Sequence, residues 1–168
     1  LDRAAGEDVD TYAINQGTLG NSNYDITFTS DDLTISQKAL TVTADAKSKT
    51  YGDSDPTLTY TTDGLVGTYS LTGLLDRAAG EDVDTYAINQ GTLGNSNYDI
   101  TFNSADLTIG AKALTVTAAA KTKVYDSNDP ALTYSSIGLE SGDSITGDLS
   151  RATGENVGTY AINQGSIT

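Results

Sequence analysis

The chain has 168 residues with no Cys, His, Met or Trp, and 23 acidic residues against 9 basic ones give a formal net charge of −14. Without His and Cys it lacks the usual general bases, thiol nucleophiles, zinc ligands and disulfide staples, so stability must come from β pairing and small cores. The acidic balance repels nucleic acid and anionic membrane surfaces, and no apolar run approaches the ~20 residues of a membrane span.

The chain opens on LDRAAGEDVDTYAINQGTLGNSNYDITF at Leu1, and the same segment returns at Leu75, an offset of 74 residues. Residues 1–35 and 75–109 differ only at Thr29/Asn103 and Asp31/Ala105. The same offset relates Ala39 to Ala113, Pro56 to Pro130 and Arg77 to Arg151. A period this long exceeds that of solenoid repeats, so each unit is expected to be a closed domain with its own core. The expected organisation is 1–38 as the C-terminal half of one repeat, 39–112 as a complete repeat, and 113–168 as a repeat lacking its last strand. With no methionine and no visible signal peptide, the sequence is expected to be a processed chain or part of a longer one.

Within the complete repeat, period-two alternation dominates. Leu40, Val42 and Ala44 fall on one face of the first strand, with Thr41 and Thr43 on the other. Gly52-Asp53-Ser54-Asp55-Pro56 breaks the chain before Leu58 and Tyr60 resume the alternation. Ala78-Ala79-Gly80-Glu81-Asp82 reads as the loop before a strand carrying Tyr86 and Ile88. Gly94-Asn95-Ser96-Asn97 turns into a last strand with Tyr98, Ile100 and Phe102, and Leu107 and Ile109 finish the unit. Five or six short strands follow, joined to the next repeat by about three residues. The expected fold is all-β, a tandem of small immunoglobulin-like β-sandwiches with a 74-residue repeat. Tyr86, in Asp82-Val83-Asp84-Thr85-Tyr86, resembles a tyrosine corner, although it also reads as an ordinary core residue. A β-grasp-like unit with a short helix near Asp63–Tyr69 is the alternative.

The composite motif is ALTVTA, K-x-K-x-Y-G-D-x-D-P, a Gly-Leu stretch, L-x-R-A-x-G-E-x-V-x-T-Y-A-I-N-Q-G-T-L and N-Y-D-I-T-F. It resembles the MBG/YDG-type repeat domains that occur in tandem in large bacterial surface proteins, including filamentous-haemagglutinin-like adhesins and biofilm-matrix proteins. The resemblance covers essentially the whole chain. It implies secretion to the bacterial surface or matrix, an extended stalk or filament, a role in adhesion, and no catalytic residues.

Near-identical neighbours are hard to reconcile with an enzyme, which needs one distinctive constellation; Glu7, Glu81 and Glu155 merely share one repeat position. No catalytic, cofactor-binding or metal-binding residues are assigned. Weak Ca²⁺ binding is conceivable at Asp53/Asp55, Asp126/Asp129 and Glu81/Asp82/Asp84, but none has a regular D-x-D-x-D-G spacing, and solvated turn residues explain them as well. Of the tyrosines, only Tyr69 lies off the apolar strand phase, where a surface glycan or matrix polymer would stack. Lys47, Lys49, Lys121 and Lys123 flank the first strand, either as strand-edge guards or as halves of a Lys–Asn cross-link. The expected partners are neighbouring repeats or other copies of the chain, because Tyr24–Ile35 matches the strand that residues 113–168 lack.

Overall fold

A computed structural model describes every residue from Leu1 to Thr168, and it contains strands and turns but no helix. The chain divides into two compact units, one of residues 1–49 with 53–110 and one of residues 50–52 with 111–168.

In the first unit, the residues before Lys38 form a three-stranded sheet. Strand β1 (Asp2–Arg3) and strand β3 (Asp31–Ile35) both pair antiparallel with β2 (Asp10–Asn15), which lies between them. Two residues then lead into β4 (Lys38–Ala44), which continues after Asp45 and Ala46 as β5 (Lys47–Thr50). The later strands are β6 (Tyr60–Asp63), β7 (Asp76–Arg77), β8 (Thr85–Asn89), β9 (Tyr98–Asn103) and β10 (Ala105–Gly110). They make two small sheets, β6-β4-β9 and β5-β10-β8-β7.

Alternation explains the interior. Leu40, Val42 and Ala44 are buried on one face of β4, as are Leu107 and Ile109 on β10. Leu40, Val42, Leu93 and Tyr98 form one apolar cluster, and Ala44, Ile88 and Leu107 form a second. Leu75 and Phe102 pack against both, so the two clusters share side chains. Each fully buried Leu, Ile or Val contributes roughly 1.5–3 kcal/mol.

One pairing in this unit is markedly non-local: β4 runs parallel to β9, with Leu40 opposite Ile100 and Val42 opposite Phe102. The β-grasp-like alternative required a helix near Asp63–Tyr69, and that helix does not form. Gly64 (φ 105°) and Gly67 (φ 60°) take backbone conformations outside the right-handed helix, and the Tyr69 N–H closes a turn on the Val66 carbonyl instead. Alternation also missed two strands. The sequence reads Lys47 and Lys49 as flanking the first strand, yet they belong to β5, which lies at the edge of its sheet. Strand β7 is only two residues long.

In the second unit the sheets are smaller. Strand β11 (Thr115–Ala118) pairs antiparallel with β12 (Tyr134–Ile137), and β13 (Ser150–Arg151) pairs with β14 (Ile162–Asn163). Asp2 opposite Asn15, Asp76 opposite Asn89 and Ser150 opposite Asn163 are one pairing at steps of 74 residues. Of the second unit's hydrophobic side chains only Ile167 is buried.

Candidate functional site

The motif residues that stand apart in sequence converge in the first unit. Lys49 is on β5, Asp55 in the turn after it, Arg77 on β7, Glu81 in the following loop and Tyr86 on β8. Lys49 Nζ lies 2.7 Å from Asp55 Oδ1 and is also paired with Glu81. Arg77 grips the other side of Asp55 with a fork, Nε at 2.6 Å from Oδ2 and Nη2 at 3.2 Å from Oδ1. It also pairs with Glu81, four residues along the chain in the following loop. Arg77 Nη1 donates to the carbonyls of Ala78 (2.9 Å) and Gly80 (2.6 Å), so the guanidinium pins its own loop.

Tyr86 supplies the floor. The Arg77 guanidinium carbon sits 5.4 Å from the centre of the Tyr86 ring, within cation–π range. The Tyr86 hydroxyl donates to the Asp82 carbonyl at 3.0 Å, the backward bond that a tyrosine corner makes. Gly80 (φ 143°) lies so close that a Cβ there would clash with Cε1 at the edge of the Tyr86 ring, which explains the glycine in R-A-x-G-E. Asp84 acts locally, accepting from the Thr85 N–H at 2.7 Å.

The second unit repeats this arrangement. Lys123 Nζ lies 2.7 Å from Asp129 and 2.6 Å from Glu155, and Arg151 Nε lies 2.6 Å from Asp129. Arg151 stands 5.5 Å from the Tyr160 ring centre, and the Tyr160 hydroxyl donates to the Asn156 carbonyl at 2.8 Å. In residues 1–35, Arg3 pairs with Glu7 and lies 5.3 Å from the Tyr12 ring centre, and the Tyr12 hydroxyl donates to the Asp8 carbonyl.

Two cations and two carboxylates make each full cluster neutral, and each group stabilises the charged form of its neighbours. Hydrogen bonds from Arg77 and then Lys49 hold the Asp55 carboxyl below its ordinary value, and those from Lys49 and Arg77 do the same to Glu81. Arg151 and Lys123 lower Asp129 to about 2. Hydrogen bonds to Asp55 and Glu81 raise Lys49. An ammonium held protonated is no nucleophile, so the environment of Lys49 runs against the cross-link considered for it. The chemistry this arrangement supplies is permanent charge pairing, which ties three separate chain segments together.

The acidic residues considered for Ca²⁺ do not gather: no three carboxylates converge on a point that could hold a metal ion. Asp55, Glu81 and Asp129 turn toward cations instead, and Asp126 sits in a turn at φ 66°. Tyr69 is exposed as expected, and so are Tyr24 and Tyr125.

The sequence profile of the MBG domain, YGX type, matches residues 1–34, 40–108 and 114–168. The chain belongs to the MBG domain family. Lys49, Asp55, Arg77, Glu81 and Tyr86 all lie within the second matched stretch, and Lys123, Asp129, Arg151, Glu155 and Tyr160 within the third. MBG domains are repeat modules of surface proteins. Comparison with curated proteins and with solved structures gave no match. Nothing in the structure is a helix long and apolar enough to cross a membrane.

Proposed function

We propose that this chain is a non-catalytic spacer, part of an extended stalk or filament of a secreted bacterial adhesin or biofilm-matrix protein. In this reading 1–38, 39–112 and 113–168 belong to three successive repeats of 74 residues, each an immunoglobulin-like sandwich in its complete form. The observation that carries it is the recurrence of one ion-pair and tyrosine cluster at Arg3, Arg77 and Arg151. A ligand site needs a distinctive set of groups in one place, whereas a spacer needs the same structural fastening in every module. The first joint supports a stiff array. Gln37 Nε2 donates to the Ser96 carbonyl at 3.0 Å, and Asn97 accepts from the Val9 N–H at 2.8 Å and donates to Asp8 at 2.7 Å. These bonds hold the residues before β4 against the loop preceding β9.

Small-angle scattering tests the stalk. An elongated particle is the expected result, and a compact profile overturns the reading. Antibodies against the chain should label intact cells of the bacterium that produces it, and labelling only after lysis would remove the surface assignment.

A further inference from the structure

Each full ion-pair cluster is built around an Asp–Pro bond. The chain has two prolines, Pro56 and Pro130, and each directly follows the aspartate that its cluster grips, Asp55 or Asp129. Turn formation accounts for an aspartate and a proline in this loop, but not for the capture of that aspartate by two cations.

The Asp–Pro bond has a chemistry of its own. The proline nitrogen belongs to a tertiary amide, so it is more basic than other peptide nitrogens and leaves more readily once protonated. The aspartate carboxylate can close a five-membered ring on its own carbonyl carbon. A C–O bond forms, the C–N bond to proline breaks, and the nitrogen departs with a proton from the solvent. Water then opens the cyclic anhydride, leaving a C-terminal aspartate and an N-terminal proline. Acid and water are the only reactants.

In the folded chain neither oxygen of Asp55 is free to make that attack. Oδ1 accepts from Lys49 Nζ at 2.7 Å and from Arg77 Nη2 at 3.2 Å, and Oδ2 accepts from Arg77 Nε at 2.6 Å. Lys49 comes from β5 and Arg77 from β7, and Glu81 is the second anion sharing both cations. Asp129 is held alike, Oδ1 by Lys123 at 2.7 Å and Oδ2 by Arg151 at 2.6 Å, with Glu155 as the second anion. Water still reaches both turns, since Asp55, Asp129 and Pro130 are exposed and Pro56 is half-buried. What withholds the reaction is the fixed direction and paired charge of the carboxylate, not burial.

We propose that Asp55–Pro56 and Asp129–Pro130 are latent self-cleavage sites, which the ion-pair clusters hold closed and which acid opens. Acid acts twice: it supplies the proton that the proline nitrogen takes up, and it breaks the pairs as the carboxylates protonate. For Asp129 the paired value is about 2, against an ordinary 3.8. Between the two, a freed aspartate is partly ionised and reactive, while a gripped one is ionised but immobile. The two bonds lie one 74-residue offset apart, so cleavage at both releases the span from Pro56 to Asp129, one repeat in length. The proposal rests on the clusters and the bond chemistry, independently of the surface-stalk reading.

The test is to warm the chain at pH 3 and to follow new N-termini at Pro56 and Pro130 by mass spectrometry. The folded chain should be cut at least roughly tenfold more slowly than the same chain unfolded in guanidinium chloride at that pH, because misdirecting an attacking group costs rates of this order. Arg77→Gln should speed cleavage after Asp55 and leave Asp129 unchanged, and Arg151→Gln should do the reverse, so each bond is the other's control. Tyr86→Phe removes the hydroxyl bond to the Asp82 carbonyl but keeps the ion pairs, so it should weaken the repeat without speeding cleavage. Asp55→Glu keeps the charge but needs a six-membered ring, and should abolish cleavage at that position even in the unfolded chain. Equal cutting of folded and unfolded chains overturns the proposal, as does an unfolded chain that stays whole. So do an Arg77→Gln chain cut no faster than the intact one, equal acceleration by Tyr86→Phe, and cleavage that persists in Asp55→Glu.

Discussion

Residues 39–110 and 113–168 carry versions of the same motif, yet they hold their side chains very differently. In the first, Ile88 is fully buried; in the second its counterpart Ile162 is half-buried and lines a cavity. Leu40 is 2% exposed and its counterpart Leu114 43% exposed. The ion-pair clusters follow the same trend, since the Lys49 side chain is 4% exposed and that of Lys123 is 23% exposed. The clusters nevertheless keep the same partners in both copies. The ion-pair cluster needs only residues 49–86 or their counterparts, whereas the buried clusters of residues 39–110 also draw on Tyr98, Ile100, Phe102 and Leu107 from β9 and β10.

The comparison can be broken most decisively through the core. Ile88→Ala should cost about 3 kcal/mol, while Ile162→Ala should cost less than about 1 kcal/mol, because a cavity penalty arises only where the site was filled. Urea unfolding followed by hydrogen exchange would assign each loss to its copy, and equal costs would mean that the two cores are equivalent.

A second test removes the fastening. Arg77→Gln takes away the fork on Asp55 and leaves Lys49 to balance two carboxylates alone, so the melting temperature of residues 39–110 should fall by a few degrees. The matching change Arg151→Gln should act in the same direction on the more open copy, and a thermal melt with no response in either would show the clusters to be mere surface pairs.

Acid offers a third test. Asp55, Glu81, Asp129 and Glu155 are held below their ordinary values, so the stability they contribute is complete above those values. It is lost as pH falls through the folded values, which for Asp129 means from its ordinary 3.8 down to about 2. Denaturation midpoints measured between pH 5 and pH 2 should drop across that window in the intact chain. The Arg151→Gln variant should show a shallower drop.

The smallest effect should come from one turn. Gly52 adopts φ 84°, and its counterpart Asp126 is the one non-glycine residue with positive φ, at 66°. Asp126→Gly should stabilise residues 113–168 by about 0.5–1 kcal/mol, read as a shifted urea midpoint, because glycine takes this conformation without the Cβ clash.

Much of this was legible in the residues themselves. The 74-residue offset, the buried faces of Leu40, Val42 and Ala44, and the strands carrying Tyr86 and Tyr98 follow from alternation and self-similarity, which are properties of short windows. The backward hydroxyl bond of Tyr86 was visible as a pattern, although an ordinary core tyrosine reads the same way. The fastening itself was not legible. Lys49 read as an edge guard, Asp55 as a turn former and Arg77 as part of a repeated phrase. Nothing local says that Lys49, Asp55, Arg77 and Glu81, from separate segments, meet in one cluster.

The sequence by itself determined the all-β character, the repeat and the membership of every motif residue in a recurring unit. Only the tertiary structure decided that β4 pairs in parallel with β9 and that Lys49, Asp55, Arg77 and Glu81 form one neutral cluster. The physical reason is range. A side-chain period reports which face of one strand is apolar, whereas strand partners and charge pairs are chosen by segments dozens of residues apart, at the moment the chain closes on itself.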